Sequence, residues 1–135
     1  MSTAVFSTYP LGDNLEMAKL VSSGLPAVVL RQIASALGVH PSGLAPLVNI
    51  NEKTVQRRLG ANAKLKPAES ERVARLMRVV ARAVEVFADE ASARQWLSQP
   101  LKALGGQTPL ALVATEPGAR EVEQLLGRLE HGVFA

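Results

Sequence analysis

The chain has 135 residues and a net charge of +3, enough for one domain or two small ones with a real core. Apolar residues make up 47% and aromatics only 4%, so that core is built from Leu, Val and Ala, a mixture that favours helices over an aromatic-rich sheet. No run of about 18 uncharged apolar residues is present to cross a membrane. There is also no basic-then-apolar leader and no cysteine for a disulfide or thiolate site; a bacterial cytoplasm is compatible with all three.

Residues 1–12 lack periodicity and end in Tyr9-Pro10-Leu11-Gly12, which predicts a mobile arm. From Asp13, the residues Leu15, Met17, Ala18 and Val21 mark a short helix stopped near Gly24 and Pro26. Ile33, Ala34 and Leu37 then recur at helical spacing. Gly38 follows where that helix stops, and Pro41 opens the next, since its fixed φ suits a first turn. Leu44, Leu47 and Val48 give this second helix one apolar side. A third begins at Asn51, whose side-chain oxygen can accept a first-turn backbone N–H. At about 100° per residue, Val55 and Leu59 fall together while Lys53, Gln56 and Arg57 point away from them.

Residues 25–66 therefore read as a helix-turn-helix. Its last helix has two apolar anchors inward and Lys, Gln and Arg outward, which is what a helix reading the DNA major groove needs. Gln56 and Arg57 are placed to read adenine and guanine edges, and Lys53, Thr54 and Arg58 lie nearer phosphates. A solvated helix of any function shows the same outer face.

Residues 61–66 form a connector ended by Pro67 at a helix N1 position, with Glu69 and Glu71 in the first turn where the helix dipole favours acid. Val73, Leu76, Met77, Val80, Val84 and Phe87 make a continuous stripe, so residues 67–88 are predicted as one long connecting helix. Arg72, Arg75, Arg78 and Arg82 lie between the stripe positions and read as a solvated flank. A second segment, residues 89–135, begins with a helix over 91–97 that turns Trp96 and Leu97 inward, and Gln99-Pro100 interrupts it. Leu104-Gly105-Gly106 breaks the chain again. Thr108 and Pro109 open a short helix as N-cap and N1, and Thr115-Glu116-Pro117 starts the last one in the same way. Val122, Leu125, Leu126 and Leu129 line that helix's apolar side, and Gly132 suits a C′ position. No strand-like alternation of useful length occurs, so the predicted fold is all-α with about eight helices.

The charge is unevenly divided. Residues 1–88 carry a balance of +5 and residues 89–135 one of −2; a basic first part suits nucleic acid and a mildly acidic second part suits a protein surface. The two histidines, His40 in the turn region and His131 near the tail, have no Cys, Asp or Glu at metal-ligand spacing. His40 reads as a turn or cap residue. No phosphate loop, nucleophile elbow or paired-carboxylate motif is visible, so the chain does not read as an enzyme.

The segment Trp96-Leu97-Ser98-Gln99-Pro100, then Gly105-Gly106-Gln107-Thr108-Pro109, Thr115-Glu116-Pro117-Gly118-Ala119 and Arg128-Leu129-Glu130-His131-Gly132 resembles the C-terminal toxin-binding domain of Xre/ParS/MbcA-type antitoxins. That pattern is a Trp-Leu, a nearby Pro, a Gly-Gly-x-Thr-Pro turn, a Thr-Glu-x-Gly-Ala helix start and a final Arg-x-x-x-Gly. Thr54-Val55-Gln56-Arg57-Arg58-Leu59 likewise looks like the family's DNA-binding half. The resemblance covers roughly residues 25–135.

It implies a partner that is a RES-domain toxin, an ADP-ribosyltransferase-like enzyme acting with NAD, whose NAD cleft the antitoxin's C-terminal end covers. NAD then belongs to the toxin, and this chain takes no cofactor or metal. Trp96, Gly105, Gly106, Thr108, Pro109 and Gly118 have structural roles open to them as core plug, tight-turn glycines and helix starts. Arg120, Arg128 and His131, with the tail Gly132-Val133-Phe134-Ala135, are the candidate toxin contacts, since nothing in the helical pattern requires them. The implied assembly is a homodimer, two reading helices about one DNA turn apart, within a larger toxin–antitoxin complex that represses its own operon. A stand-alone repressor whose C-terminal half dimerises or binds a ligand would use Trp96 and the helix-turn-helix equally well.

Overall fold

The computed structural model describes residues 6–132. Among them are eight α-helices in the order α1 Asn14–Ser23, α2 Val29–Leu37, α3 Ala45–Val48, α4 Glu52–Gly60, α5 Pro67–Phe87, α6 Glu90–Leu97, α7 Pro109–Leu112 and α8 Glu116–Glu130, with 3₁₀ turns at Pro41–Leu44 and Lys102–Leu104. The architecture is all-α: an N-terminal helix-turn-helix and a C-terminal helical part packed on a shared central helix. Isolated antiparallel bridges at Pro26/Lys64 and Leu101/Gln107 are the only strand-like pairings among the described residues.

Local chemistry sets most helix ends. Asp13 accepts from the N–H groups of Leu15 and Glu16, Asn51 from Lys53, Asp89 from Ser92, Thr108 from Ala111 and Thr115 from Gly118, each satisfying a first-turn donor that has no partner inside the helix. His40 acts the same way at the 3₁₀ turn, its Nδ1 accepting from the Ser42 N–H at 3.1 Å. Gly105 and Gly106 take φ of +67° and +83°, a backbone region nearly closed to residues with a Cβ.

The centre of the core is α5. Val73, Leu76, Met77, Val80 and Val84 are buried as their periodicity requires, and Val79 and Ala83 are buried as well, because α1, α2, α3, α6 and α8 all pack against this one helix. It is enclosed on more faces than an amphipathic stripe implies. Leu97 is fully buried, whereas Trp96 is only half-buried and packs its ring 5.6 Å from Phe87.

Residues 6–12 are not a mobile arm: Phe6 is buried in the core, Tyr9 and Leu11 pack against it, and the Tyr9 hydroxyl donates to Gln32 Oε1 at 3.3 Å. Non-periodic segments can dock through two or three large side chains, which leaves no pattern to read. In α1 the inward residues are Met17, Leu20 and Val21, while Leu15 is 69% exposed.

The arginines of α5 also depart from their expected place. Arg72 donates to the carbonyls of Val48 and Asn49 at 2.6 and 3.2 Å, and Arg75 to those of Val113 and Ala114, both at 3.0 Å. Arg78 forks onto Glu123 at 2.7 and 3.1 Å, and Arg82 pairs with Glu130. They are ties between helices, not a solvated flank. A fork of N–H donors reaches the orphan carbonyls at a helix C-terminus, which is where α3 and α7 end.

Candidate functional site

Two surfaces carry the sequence-predicted site residues. On α4, Val55 is fully buried and Leu59 half-buried, so the helix is seated by the expected pair. Lys53, Gln56 and Arg57 are exposed together on the opposite side, and Thr54 is half-buried beside them. Arg58 stands apart. Its Nε and Nη2 donate to the two carboxylate oxygens of Glu69 at 2.9 and 3.0 Å, and little of either side chain reaches solvent. Glu69 is the third residue of α5, and its Oε1 also accepts from the Lys66 N–H at 2.9 Å. One carboxylate thus caps α5 and fastens α4 to it.

Burial pushes the Glu69 carboxyl up, but the Arg58 hydrogen bonds, the Lys66 N–H and the charges of both residues outweigh it and hold the group below its ordinary value. Glu130 is also lowered, chiefly by its hydrogen bond to Arg82. A carboxylate lowered by folding adds stability above its unfolded-state pKa, and that increment is lost as pH falls through the folded value. Glu69→Gln should therefore be less stable than wild type at neutral pH, with the difference in melting temperature closing in the range of about pH 5 to 3. Thermal melts at stepped pH check this; a gap that stays constant to the acid end overturns it.

The second surface is the outer side and far end of α8. Its inner side is fixed by Val122 and Leu126, both fully buried, and by the ties of Arg78 to Glu123 and Arg82 to Glu130. Glu116 lies 3.9 Å from Arg75 and from Arg78 and accepts from Arg120 Nε at 3.3 Å. Arg120 is 71% exposed. Arg128 and His131 are exposed and pair with no side chain among the described residues. Gly132 follows in the left-handed region at φ +71°. Val133, Phe134 and Ala135, the rest of the predicted contact set, lie outside the described residues.

Gly118 has a definite reason to lack a side chain, one that sequence reading did not supply. A Cβ there would lie 1.9 Å from the Leu112 carbonyl oxygen and 3.0 Å from Thr115 Oγ1. The start of α8 rests directly on the backbone that leaves α7. Pro109, at the start of α7, is buried, and Arg75 ties the residues that leave α7 to α5.

A family model for the Xre/MbcA/ParS antitoxin C-terminal toxin-binding domain matches residues 82–132, and one for the Xre-like antitoxin helix-turn-helix domain matches residues 16–78. The two matches meet inside α5. An Xre antitoxin of Yersinia enterocolitica is 37% identical over 127 residues, covering 93% of this chain and 86% of that one. An Xre antitoxin of Photorhabdus laumondii is 31% identical over 128 residues, covering 94% and 86%. Among solved structures, a chain of the M. tuberculosis MbcT–MbcA toxin–antitoxin complex superposes with a TM-score of 0.62 at 20% identity, covering 81% of this chain and 96% of its own, a likeness of fold. Among the described residues no helix is long and apolar enough to cross a membrane.

Proposed function

This chain belongs to the Xre/MbcA/ParS antitoxin family, and from that membership we propose that it neutralises a RES-domain, NAD-consuming toxin by covering the toxin's active-site cleft. Residues 89–135 are the toxin-binding part. Arg120, Arg128, His131 and Gly132, continuing into Val133, Phe134 and Ala135, form the contact set. Residues 25–66 bind the operator of the chain's own operon, with Gln56 and Arg57 on base edges and Lys53 and Thr54 beside phosphates. The working form is a cytoplasmic homodimer within a hetero-oligomeric toxin–antitoxin complex.

The observation that carries the toxin-binding reading is the mounting of α8. Its inner side is spent on buried apolar contacts and on ion pairs to Arg75, Arg78 and Arg82 of α5, while Arg120 and Arg128 on its outer side and His131 just past its end are exposed. A helix end packed in place meets a cleft with less ordering cost than a mobile segment. Guanidinium groups at its edge suit carboxylates at the rim of such a cleft.

The test is co-expression with the RES-domain protein encoded by an adjacent reading frame. Full-length chain should restore growth and co-purify with the toxin. A chain ending at Glu130 should fold with an unchanged melting temperature and still bind DNA, yet lose rescue. Failure of the full chain to rescue and co-purify overturns the proposal. Undiminished rescue by the shortened chain removes the tail from it.

A further inference from the structure

The base-reading face of α4 lacks a backbone clamp on the side where Arg58 was expected, because Arg58 is spent on Glu69. Beside α4 runs a shallow groove lined by Arg31, His40, Pro41, Ser42, Val55, Gln56, Leu59 and Gly60. Its polar groups are one guanidinium, one imidazole, one amide and one hydroxyl, with no carboxylate. Arg31 and His40 are exposed, and Arg31 makes no ion pair or side-chain hydrogen bond among the described residues. The His40 ring has a fixed orientation. Because Nδ1 accepts from the Ser42 backbone N–H at 3.1 Å, the neutral ring carries its proton on Nε2, at the end of the ring away from the backbone. Gln56 belongs both to this groove and to the outward face of α4.

We infer that Arg31 and His40 form a phosphate-contact site for the DNA backbone flanking the groove that α4 reads, and that Arg58 is a positioning residue and makes no phosphate contact. This rests on the DNA-reading half of the proposed function. Charge complementarity selects the occupant: a phosphodiester offers acceptors only, and this lining offers a guanidinium, an Nε2–H and an amide; Glu90, which shares a neighbouring groove with Arg31, makes no ion pair with it among the described residues. The site's distance from α4 is set by packing, since α2 packs against the 3₁₀ turn at Pro41–Leu44 and that turn packs against α4. A phosphate held here fixes register, and Arg57 supplies preference among bases.

The test is binding of the full chain to a duplex enriched by the wild-type protein from a random-sequence pool, and to a scrambled duplex, at several salt concentrations. Arg31→Ala should weaken binding to both duplexes by a similar factor and lower the slope of log K against log salt by about 0.9, the value for one lost phosphate contact. His40→Asn, which keeps an acceptor for the Ser42 N–H while removing Nε2–H, should weaken both duplexes similarly. Arg57→Ala should instead reduce the preference for the enriched duplex. Arg58→Ala should leave the salt slope unchanged while lowering the melting temperature.

If Arg31→Ala and His40→Asn keep wild-type affinity and slope, the phosphate site is overturned and the DNA-reading proposal stands. The positioning role of Arg58 is overturned if Arg58→Ala reduces the slope as a phosphate contact would. A wild-type chain that enriches no duplex overturns the DNA-reading proposal and this one with it.

Discussion

Gly118→Ala should unfold this protein at a markedly lower temperature, although Gly→Ala inside a helix ordinarily stabilises by about 0.5–1 kcal/mol. The sign reverses because of one distance. The added methyl would sit 1.9 Å from the Leu112 carbonyl oxygen and 2.8 Å from its carbon, and neither belongs to a side chain that can swing away. Relief requires the first turn of α8 to move off α7, which breaks the Thr115 cap on the Gly118 N–H and disturbs fully buried Ala119 and Val122. Overpacking typically costs about 1–3 kcal/mol, and a clash with immovable backbone belongs at the upper end, roughly 10 °C in melting temperature for a domain of this size. Gly127 supplies the internal control. It lies in the same helix, a Cβ there meets nothing within 4 Å, and Gly127→Ala should raise the melting temperature. The account fails if both substitutions shift stability in the same direction.

That pair also marks where sequence reading stops. A glycine's neighbours along the chain are visible in the sequence; the carbonyl six residues back that folds under it is not. What was legible is local. Asn51, Thr108 and Thr115 announce helix starts through their own side chains, Gly105 and Gly106 announce a turn because they lack a Cβ, and Val55 with Leu59 show which side of α4 faces inward. The motif after Trp96 gave the family because it strings several such local signals at fixed spacings.

What was not legible depends on what packs against what. Arg72, Arg75, Arg78 and Arg82 look like a solvated flank until α3, α7 and α8 arrive beside them. Arg58 looks like a phosphate contact until α5 brings Glu69 within 2.9 Å of it. In each case a cation was assigned to solvent or ligand when another helix of the same chain had the matching acceptor. Charged positions on a helix that proves central are the ones most prone to this error, and α5 is the central helix.

Arg75 is the most consequential of these residues, and its replacement should cost more than that of any other arginine on α5. It is only 6% exposed. Its Nε and Nη2 satisfy the carbonyls of Val113 and Ala114, which leave α7 just before Thr115 caps α8. Arg75→Met keeps much of the apolar stem but leaves two carbonyls without these donors at a buried corner, at about 1–3 kcal/mol each. Arg75→Lys keeps the charge, yet a single ammonium cannot reproduce two forked N–H bonds, so it should recover only part of the loss. By contrast Arg120→Ala removes one 3.3 Å contact between largely exposed groups and should change stability by less than about 0.5 kcal/mol.

The functional consequence separates the two arginines further. Because Arg75 fixes the corner from which α8 departs, Arg75→Met should weaken rescue from the toxin in proportion to its lost stability, and lowering the growth temperature should restore part of it. Arg120→Ala should weaken rescue with the melting temperature unchanged. Melting curves beside growth rescue at two temperatures decide the matter. Equal melting temperatures for wild type and Arg75→Met would mean that the corner is held by α8 packing alone.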